Sequence, residues 1–314
     1  MSLPERLGLT LPLDGVPLSE VPALAAEAER LGYTDAWSYE TNGLDVFTPL
    51  AAAAIGTRTM RVGTGIAGAL TRPVPVLAMH AASLAELAPG RVVLGLGSST
   101  EAIVSGWMGM PFDRPRTRVR RAAEQLQTLL SGERVDSFKL SRRPAEPVPV
   151  YIGAFGEAML RMAGEVADGV MFFMAGPRVV PQLLAAVGRP LDSVARFMVF
   201  GGASSAELQE MARRRVASYA IVPYYGRLFG RQGFGEEVEA IQAAWQRGDR
   251  SGAARQVSAA MLAEVVSLGG GDAHREKIEA YRRSGLGTPV VWLHSPDPTP
   301  QTLRRLMAEI ASPD

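Results

Sequence analysis

Short apolar runs alternate with longer segments of helical periodicity along the first hundred residues of the chain. The apolar runs start near positions 7, 34, 60 and 91, and a turn and a predicted helix follow each of them. Leu7–Leu11, for example, precedes the predicted helix Ser19–Leu31, whose apolar residues recur at three- and four-residue spacing. Because consecutive βαβ units place parallel strands side by side through right-handed crossovers, this pattern predicts an α/β fold with a parallel sheet.

Four more strands and a long helical segment are predicted beyond residue 97. Residues 204–262 are predicted to be helical, with breaks at Pro223 and Gly230–Gly235, and they are too long for one crossover. We therefore predict a single (β/α)8 TIM barrel over residues 1–314, with a helical insertion at 204–262 between strands seven and eight. Two domains of about 150 residues are disfavoured because no linker divides the chain. The eight predicted strands are Leu7–Leu11, Thr34–Ser38, Met60–Ile66, Arg91–Gly97, Val148–Gly153, Gly169–Phe173, Arg196–Gly201 and Pro289–Leu293.

The composition is that of an ordinary globular protein and argues against several functions. Of the 314 residues, 33 are Lys or Arg and 32 are Asp or Glu, so the net charge of +1 gives no field that gathers nucleic acid or an anionic membrane. The chain has no cysteine, which excludes disulfides and thiolate chemistry, and its three histidines lack the close spacing of metal ligands. With no signal peptide and no apolar stretch of roughly 18 residues, we expect a cytoplasmic protein without a metal.

The reactive groups of a (β/α)8 barrel lie where its strands end, at their C-terminal side. Glu40 follows the aromatic end of strand two and is the best acid there, although a salt bridge to one of the many arginines is an equally good interpretation. His294 follows strand eight and is a weaker candidate, whereas His80 is expected to be structural and His274 to be solvated. Four residues of the insertion either line a substrate pocket or pack a helix end, namely Tyr219, Pro223, Tyr224 and Tyr225.

Small residues end strands four and five. A dinucleotide-binding G-x-G-x-x-G motif is rejected because Thr100 stands where its last glycine belongs. Gly97, Ser98 and Ser99 either let a planar or anionic group approach the backbone or simply form a tight turn. Gly153–Gly156 precedes a predicted helix, whose free N–H groups and dipole favour a phosphate, with a self-capped helix as the alternative.

Several strand ends together resemble one known family. The chain is similar to the bacterial luciferase-like superfamily of flavin and deazaflavin oxidoreductases, particularly the branch that uses coenzyme F420. The resemblance covers residues up to about 170 and resumes weakly near 267–293. It rests on Leu7–Pro12, on Asp35–Glu40 with Asp45–Phe47, on Thr57 with Arg61–Gly65, on Leu84–Arg91 leading into Val93–Ser99, and on Pro149–Ala154 leading to Leu160–Val170.

This resemblance implies a barrel whose strand ends hold a flavin-shaped ring. In relatives a bulge after strand three, often with a non-prolyl cis peptide, supports the ring, and the matching residues here are Gly65, Ile66 and Ala67. The segments that match contacts to the cofactor tail and its phosphate are Gly97, Ser98 and Ser99 and the run Gly153, Ala154, Phe155 and Gly156. We also expect a homodimer.

The chain departs from the family pattern at the proton donor. Many relatives carry an acidic residue followed by histidine at the end of strand two, but here Glu40 is followed by Thr41. A strand-four carboxylate of some relatives falls at Thr100, one position before Glu101. The candidate proton donors are therefore Glu40, Tyr39, Glu101 or a bound water.

Three functions are compatible with these residues. The leading one is hydride transfer between coenzyme F420 and a small organic substrate with a C=C, C=N or C=O bond. The others are a monooxygenase that takes reduced FMN from a separate flavin reductase, and a non-catalytic cofactor-binding barrel. A basic rim for the longer anionic tail of F420 is expected from Arg72, Arg114, Arg116, Arg118 and Arg178.

Overall fold

Every predicted apolar run forms a strand, and each strand pairs in parallel with the next one along the chain. In the computed structural model, which describes residues 5–311, the last strand also pairs with the first, through Gly8 and Val290, and this closes the barrel. The eight-stranded barrel predicted from the sequence is thereby confirmed. Its strands are β1 Gly8–Leu11, β2 Asp35–Ser38, β3 Arg61–Thr64, β4 Val92–Gly97, β5 Val150–Gly153, β6 Gly169–Phe173, β7 Asp192–Phe200 and β8 Thr288–His294.

Helices cover the outside of the barrel. Proline stands in the first turn of five of the six crossover helices that join β1 to β7, where its missing N–H costs no hydrogen bond. The crossover helices are α1 Val21–Arg30, α2 Thr48–Gly56, α3 Val74–Leu87, α4 Pro115–Leu130, α5 Glu157–Val166 and α6 Val180–Val187. Those that follow β7 are α7 Ser205–Ala220, α8 Pro223–Arg231, α9 Gly235–Gln246, α10 Arg250–Arg255, α11 Ala259–Val265, α12 Gly271–Arg283 and, after β8, α13 Pro300–Ala311.

The helices α7 to α11 form the predicted insertion between β7 and β8, and the chain begins it with a capping box. Ser204 accepts a hydrogen bond from the backbone of Glu207, whose side chain in turn accepts one from Ser204. Four small elements were not predicted: the strands Ala67–Gly68 and Val266–Leu268, the hairpin of Arg134–Val135 with Phe138–Lys139, and the π-helix Ala102–Trp107. Strands of two or three residues are too short to give a hydrophobic period.

The expectation that His274 is solvated was wrong. The unpredicted strand Val266–Leu268 pairs with the upper half of β7 and places Ser267 against this histidine. The Ser267 hydroxyl lies 2.8 Å from Nδ1 of His274, which is fully buried. The polar start of α12 gave no indication of this contact, because it depends on a strand that precedes the helix.

The interior of the barrel is filled below the strand ends. Trp37, Tyr151, Met171 and Val290 pack with neighbouring apolar residues into a small inner cluster. Beneath it, the guanidinium group of Arg61 lies over the rings of Trp37 and Tyr151 and pairs with carboxylates at the N-terminal end of the strands. The barrel is therefore closed at this end, and open space is found at the C-terminal end.

No helix within residues 5–311 is both long and apolar enough to cross a membrane. The same stretch contains no group of three His, Asp or Glu residues placed to hold a metal ion. A cytoplasmic location and a homodimer stay predictions.

Candidate active site

A cavity of about 950 Å³ opens above the inner cluster, at the C-terminal ends of the strands. Because side chains in a strand alternate between faces, residues an even number of positions beyond an inward-facing residue point inward again, and those at the strand ends form the floor of this cavity. Three of them are Gly65, Gly97 and Gly153, from the side of β3 to β5. On the opposite side stand three large side chains, those of Tyr39, Phe173 and Arg196. The floor thus has a glycine half and an aromatic half.

The glycine half is shaped by a bulge after β3. The peptide bond between Gly65 and Ile66 is cis, as the resemblance had implied for this position, and the N–H of Gly65 donates to the carbonyl of Ser38 at 2.6 Å. A Cβ atom on Gly97 would lie 2.9 Å from Ile66, and one on Gly153 would lie 3.0 Å from it. These two glycines therefore make room for the side chain of Ile66, which lines the cavity together with them. Their first role is in packing, since they let the bulge lie flat against β4 and β5.

Not every residue of the matched segments reaches the cavity. Ser98, Ser99, Phe155 and Gly156 line it, and Ser99 has a left-handed backbone with φ of 59°. By contrast, Ala67 and Ala154 are buried in the core between barrel and helices and are not among the lining residues. Alternation explains their orientation, because each follows an inward-facing or bulge position.

Gly156 caps the N-terminus of α5 without a side chain in the way. A Cβ atom built on it would meet no other atom within 4 Å, and the residue is exposed toward the cavity. The neighbouring Glu157 pairs with Arg161 one turn along the helix, at 3.0 Å. The first N–H groups of α5 therefore lie beside open space, as a phosphate site requires.

Of the three candidate proton donors, Glu40 and Tyr39 lie in the cavity wall and Glu101 does not. Glu101 is exposed at the start of the π-helix and is absent from the lining residues. Both carboxylate oxygens of Glu40 accept hydrogen bonds from Arg72, and both side chains are mostly buried. The salt-bridge interpretation of Glu40 is thus correct, and its pairing with arginine stabilises the charged carboxylate. That favours a proton acceptor, or a group that orients water, over a strong acid.

The aromatic half surrounds a residue that the sequence reasoning missed, Arg196 of β7. Its guanidinium carbon lies 4.6 Å, 4.3 Å and 4.8 Å from the ring centres of Tyr39, Phe173 and Trp292. Burial lowers the pKa of Arg196, and the nearby tyrosines oppose this shift. A usable signal was present, since Arg196 follows the inward-facing Val194 by two positions. Arg196 was not predicted as a cavity residue because β7 was predicted to start at Arg196, whereas it starts at Asp192.

The insertion supplies the outer wall and part of the mouth of the cavity. Tyr219 and Tyr225 pack edge-on against Phe173, with ring centres 5.1 Å and 5.7 Å away, whereas Pro223 is exposed on another side of α8. Tyr224 also lines the cavity. Of the two interpretations that the sequence left open for this cluster, lining of a pocket holds for the three tyrosines and not for Pro223. Arginines at the mouth are Arg114, Arg116, Arg227 and Arg231.

The predicted basic rim is only partly present at this mouth. Arg72 is engaged with Glu40, and Arg178 pairs with the buried Glu264 at 2.5 Å. Arg118 donates to Asp113 at 3.2 Å. These three arginines have acidic partners. Arg227 and Arg231, from the insertion, were not predicted and lie at the mouth, where Arg231 donates to the carbonyl of Phe155 and Arg227 lies over the ring of Tyr224.

The histidines contribute no lining side chain. His294 is buried beside the rings of Phe200 and Trp292, and its Nε2 has no hydrogen-bond partner within residues 5–311. Burial lowers its pKa to about 3, with further lowering by Arg215 and Arg196. His80 is exposed on α3 with its ring 4.5 Å from that of Phe47. His294 is therefore neutral and outside the cavity wall.

The sequence of the chain matches the model of a known family along nearly its whole length. Residues 1–288 fit the family described as luciferase-like monooxygenase. The chain belongs to this luciferase-like family. The resemblance found in the strand-end motifs is thereby confirmed.

Three relatives show which members of the luciferase-like family are similar. A 5,10-methylenetetrahydromethanopterin reductase of Methanolobus tindarius is 32% identical over 52% of each chain. One of Archaeoglobus fulgidus is 26% identical over 84% of this chain and 87% of its own. The solved structure of the coenzyme F420-dependent tetrahydromethanopterin reductase of Methanopyrus kandleri superposes with a TM-score of 0.81, at 23% identity, covering 98% of this chain and 97% of the other. This last likeness shows the shared barrel fold.

Proposed function

We propose that this luciferase-like protein is a coenzyme F420-dependent oxidoreductase, which transfers hydride between the deazaflavin and a small organic substrate. The observation that carries the proposal is the divided cavity floor. A flat ring system fits against the glycine half, over the bulge at Gly65–Ile66, and leaves the aromatic half for a substrate. The F420-dependent reductase among its relatives supports the choice of cofactor.

The residues present fit such a cofactor along the cavity from floor to mouth. Gly65 and Ile66 offer an apolar surface for the ring, and the open N-terminus of α5 at Gly156 offers N–H groups for a phosphate. Further out, the exposed guanidinium groups of Arg114 and Arg227 suit an anionic tail.

The chemistry divides between cofactor and protein. Bound deazaflavin supplies or accepts the hydride at a ring carbon. The protein positions the substrate above the ring and excludes water with the aromatic side chains of the insertion. Burial raises the pKa of Tyr39, so that its hydroxyl stays protonated, while two hydrogen bonds from Arg72 orient the side chain of Glu40. Tyr39 then suits the donor of a proton, and Glu40 its acceptor or the orienting group for a water.

A reduced-FMN monooxygenase is the second candidate. It is favoured by the description of the family, whose named activity is a monooxygenase, and the glycine half admits either ring. That reaction needs reduced FMN from a separate flavin reductase. A non-catalytic cofactor-binding barrel is the third candidate, and the replacement of the family histidine by Thr41 is its only support.

Titration of the purified protein with F420 and with FMN tests the proposal directly. We expect saturable binding of F420 at micromolar or lower concentration. The affinity should fall as salt is raised, because exposed charge pairs are screened within about 8–10 Å. Quenching of cofactor fluorescence measures the affinity and its dependence on salt. An oxygen electrode follows oxygen consumption with each reduced cofactor. Binding of FMN without measurable affinity for F420, together with oxygen uptake, would instead establish the monooxygenase.

Substitution of Gly156 by valine tests the phosphate position. We expect Gly156→Val to weaken cofactor binding at least about tenfold, because a branched side chain blocks approach to the N–H groups of α5. The space around Gly156 is open and its φ of −88° suits any residue, so the fold should be retained. Gly235→Val is the matched control, since Gly235 also stands in open space at a helix start but outside the cavity. Unchanged affinity in a folded Gly156→Val protein would place the phosphate elsewhere.

A further inference from the structure

Arg196 is a cation at the cavity floor that has no anionic partner. Within the described residues 5–311 it makes no ion pair and no hydrogen bond, and its contacts are the three ring faces of Tyr39, Phe173 and Trp292. The other arginine inside the barrel, Arg61, is paired with Asp35 and Asp192. Ring faces attract a cation but accept none of the guanidinium N–H groups in the manner of an oxygen atom. A charge removed from bulk water is costly unless it is paired.

Three phenol groups of the same wall also lack partners. The hydroxyls of Tyr39, Tyr219 and Tyr225 form no hydrogen bond with any residue from 5 to 311, although each ring lies at the cavity. Burial raises the pKa of all three phenols, so they keep their protons and are available as donors. Arg196 and these hydroxyls therefore present unpartnered donors to the aromatic half. Of the nearby carboxylates, Glu40 is engaged by Arg72, and Asp14, which acts electrostatically on Tyr39 and Tyr219, does not line the cavity.

We infer that Arg196 binds a carboxylate of the substrate within the aromatic half of the cavity. This inference rests on the proposed function, because it names the class of substrate that the proposed oxidoreductase would bind. A guanidinium group presents two parallel N–H groups that match both oxygens of a carboxylate. Neutral ligands would leave the charge of Arg196 uncompensated.

A carboxylate fits this position better than a phosphate. Arg196 is the one unpaired cation of the aromatic half among the described residues, because Arg72 is engaged with Glu40 and the remaining lining arginines stand at the mouth. One guanidinium group balances the single charge of a carboxylate but not the two charges of a phosphate monoester. The carboxylate at Arg196 would also orient the remainder of the substrate toward the glycine half, where the ring is proposed to lie.

Paired acids and amides test this inference with defined probes. Isothermal titration of the protein, with and without F420, compares butyrate, phenylacetate and cinnamate with their primary amides, which have nearly the same shape but no charge. We expect at least one acid to bind about tenfold or more tightly than its amide. Arg196→Gln should abolish this preference, and Arg196→Lys should retain only part of it, because lysine lacks the planar fork. Arg250→Gln is the control, since Arg250 also lies over a ring, that of Trp245, but on the exposed surface.

The outcomes separate this inference from the proposed function. Equal binding of acids and amides by the unaltered protein, or no binding of any acid, overturns the carboxylate site whether or not F420 binds. Loss of F420 affinity in Arg196→Gln with an unchanged acid preference would assign Arg196 to the cofactor. An acid preference that depends on Arg196 in a protein with no affinity for F420 would retain the site and reject the cofactor. Should Arg196→Gln fail to fold, the acid-to-amide ratio of the unaltered protein and of Arg196→Lys still decides.

Discussion

Lowering the pH from 7 to 5 is expected to destabilise the folded protein by about 4 kcal/mol, roughly 2 kcal/mol for each of two buried histidines. Burial lowers the pKa of His274 from 6.5 to about 4 and that of His294 from 6.5 to about 3. The folded state keeps both rings neutral, whereas the unfolded chain takes up protons below its own pKa near 6.5. The stabilisation is therefore fully present above pH 6.5 and is lost as the pH falls toward the folded-state values. Against a total of about 5–15 kcal/mol, this loss is large.

Between pH 5 and 7 the pH dependence of stability comes mainly from histidine protonation. Glu29, whose pKa is lowered to about 2, keeps its stabilising contribution above its unfolded value of 4.5 and loses it as the pH falls from there toward 2. Lys277, whose pKa is lowered to about 8, acts at higher pH. Urea unfolding at a series of pH values measures the slope, and His294→Phe should reduce it by about half because one of the two groups is removed. His80→Gln is the comparison variant: burial also lowers the pKa of His80, but its ring is exposed, so its removal should change the slope least. A slope unchanged by His294→Phe would refute the assignment.

Replacement of Glu40 by glutamine is expected to lower turnover at least about tenfold while leaving cofactor affinity unchanged. The carboxylate of Glu40 lies in the cavity wall, where a charged group is needed to accept a proton or orient a water, and glutamine cannot carry that charge. Turnover is followed by the change in visible absorbance of the cofactor, with a substrate found among carbonyl, imine and enone compounds. Cofactor affinity is measured separately by titration.

Two further variants distinguish proton transfer from a packing role for Glu40. Arg72→Gln removes the partner that orients the carboxylate, so it should lower turnover with little change in cofactor affinity if Glu40 acts on the substrate. A purely structural pair would lower the free energy of unfolding and leave the turnover of the folded protein unchanged. Glu86→Gln is the matched control, because Glu86 is paired with Arg142 at 2.8 Å on the surface. Unchanged turnover in Glu40→Gln would transfer the role to Tyr39 or a water.

Local patterns were sufficient for the barrel, and they failed where a contact joins distant strands. The strands and helices could be predicted because the features that define them are local. These features are the eight apolar runs, the prolines at helix starts and the break at Pro223. The bulge at Gly65–Ile66 came from the family resemblance, but its fit against Gly97 and Gly153 depends on packing between three strands. Ala67 and Ala154 were included in the site because matched segments do not show which way each side chain points.

The charged residues show the same limit. Glu40 could be placed at a strand end, but its engagement by Arg72, 32 positions later, could not be read from spacing along the chain. Arg196 was not predicted to line the cavity because β7 was predicted to begin there, whereas it begins four residues earlier, at Asp192. The side chain of Asp192 accepts hydrogen bonds from Arg6 and Arg61. Because the first residue of β7 is polar and pairs with distant arginines, the hydrophobic pattern does not reveal where the strand begins. Without that start, the alternation of inward- and outward-facing residues in β7 could not be assigned.

The two walls of the cavity differ in origin, and this gives them unequal freedom to change. Gly65, Gly97 and Gly153 belong to the barrel strands, where Ile66 fits only against bare backbone. The facing tyrosines, Tyr219 and Tyr225, are carried on α7 and α8, which the barrel does not need for its closure. Substitutions on α7 and α8 can reshape the aromatic half, where a substrate is proposed to bind, while the glycine half proposed for the cofactor ring is preserved. This fold therefore suits divergence of substrate specificity, in which related proteins keep one redox cofactor and differ in their substrates.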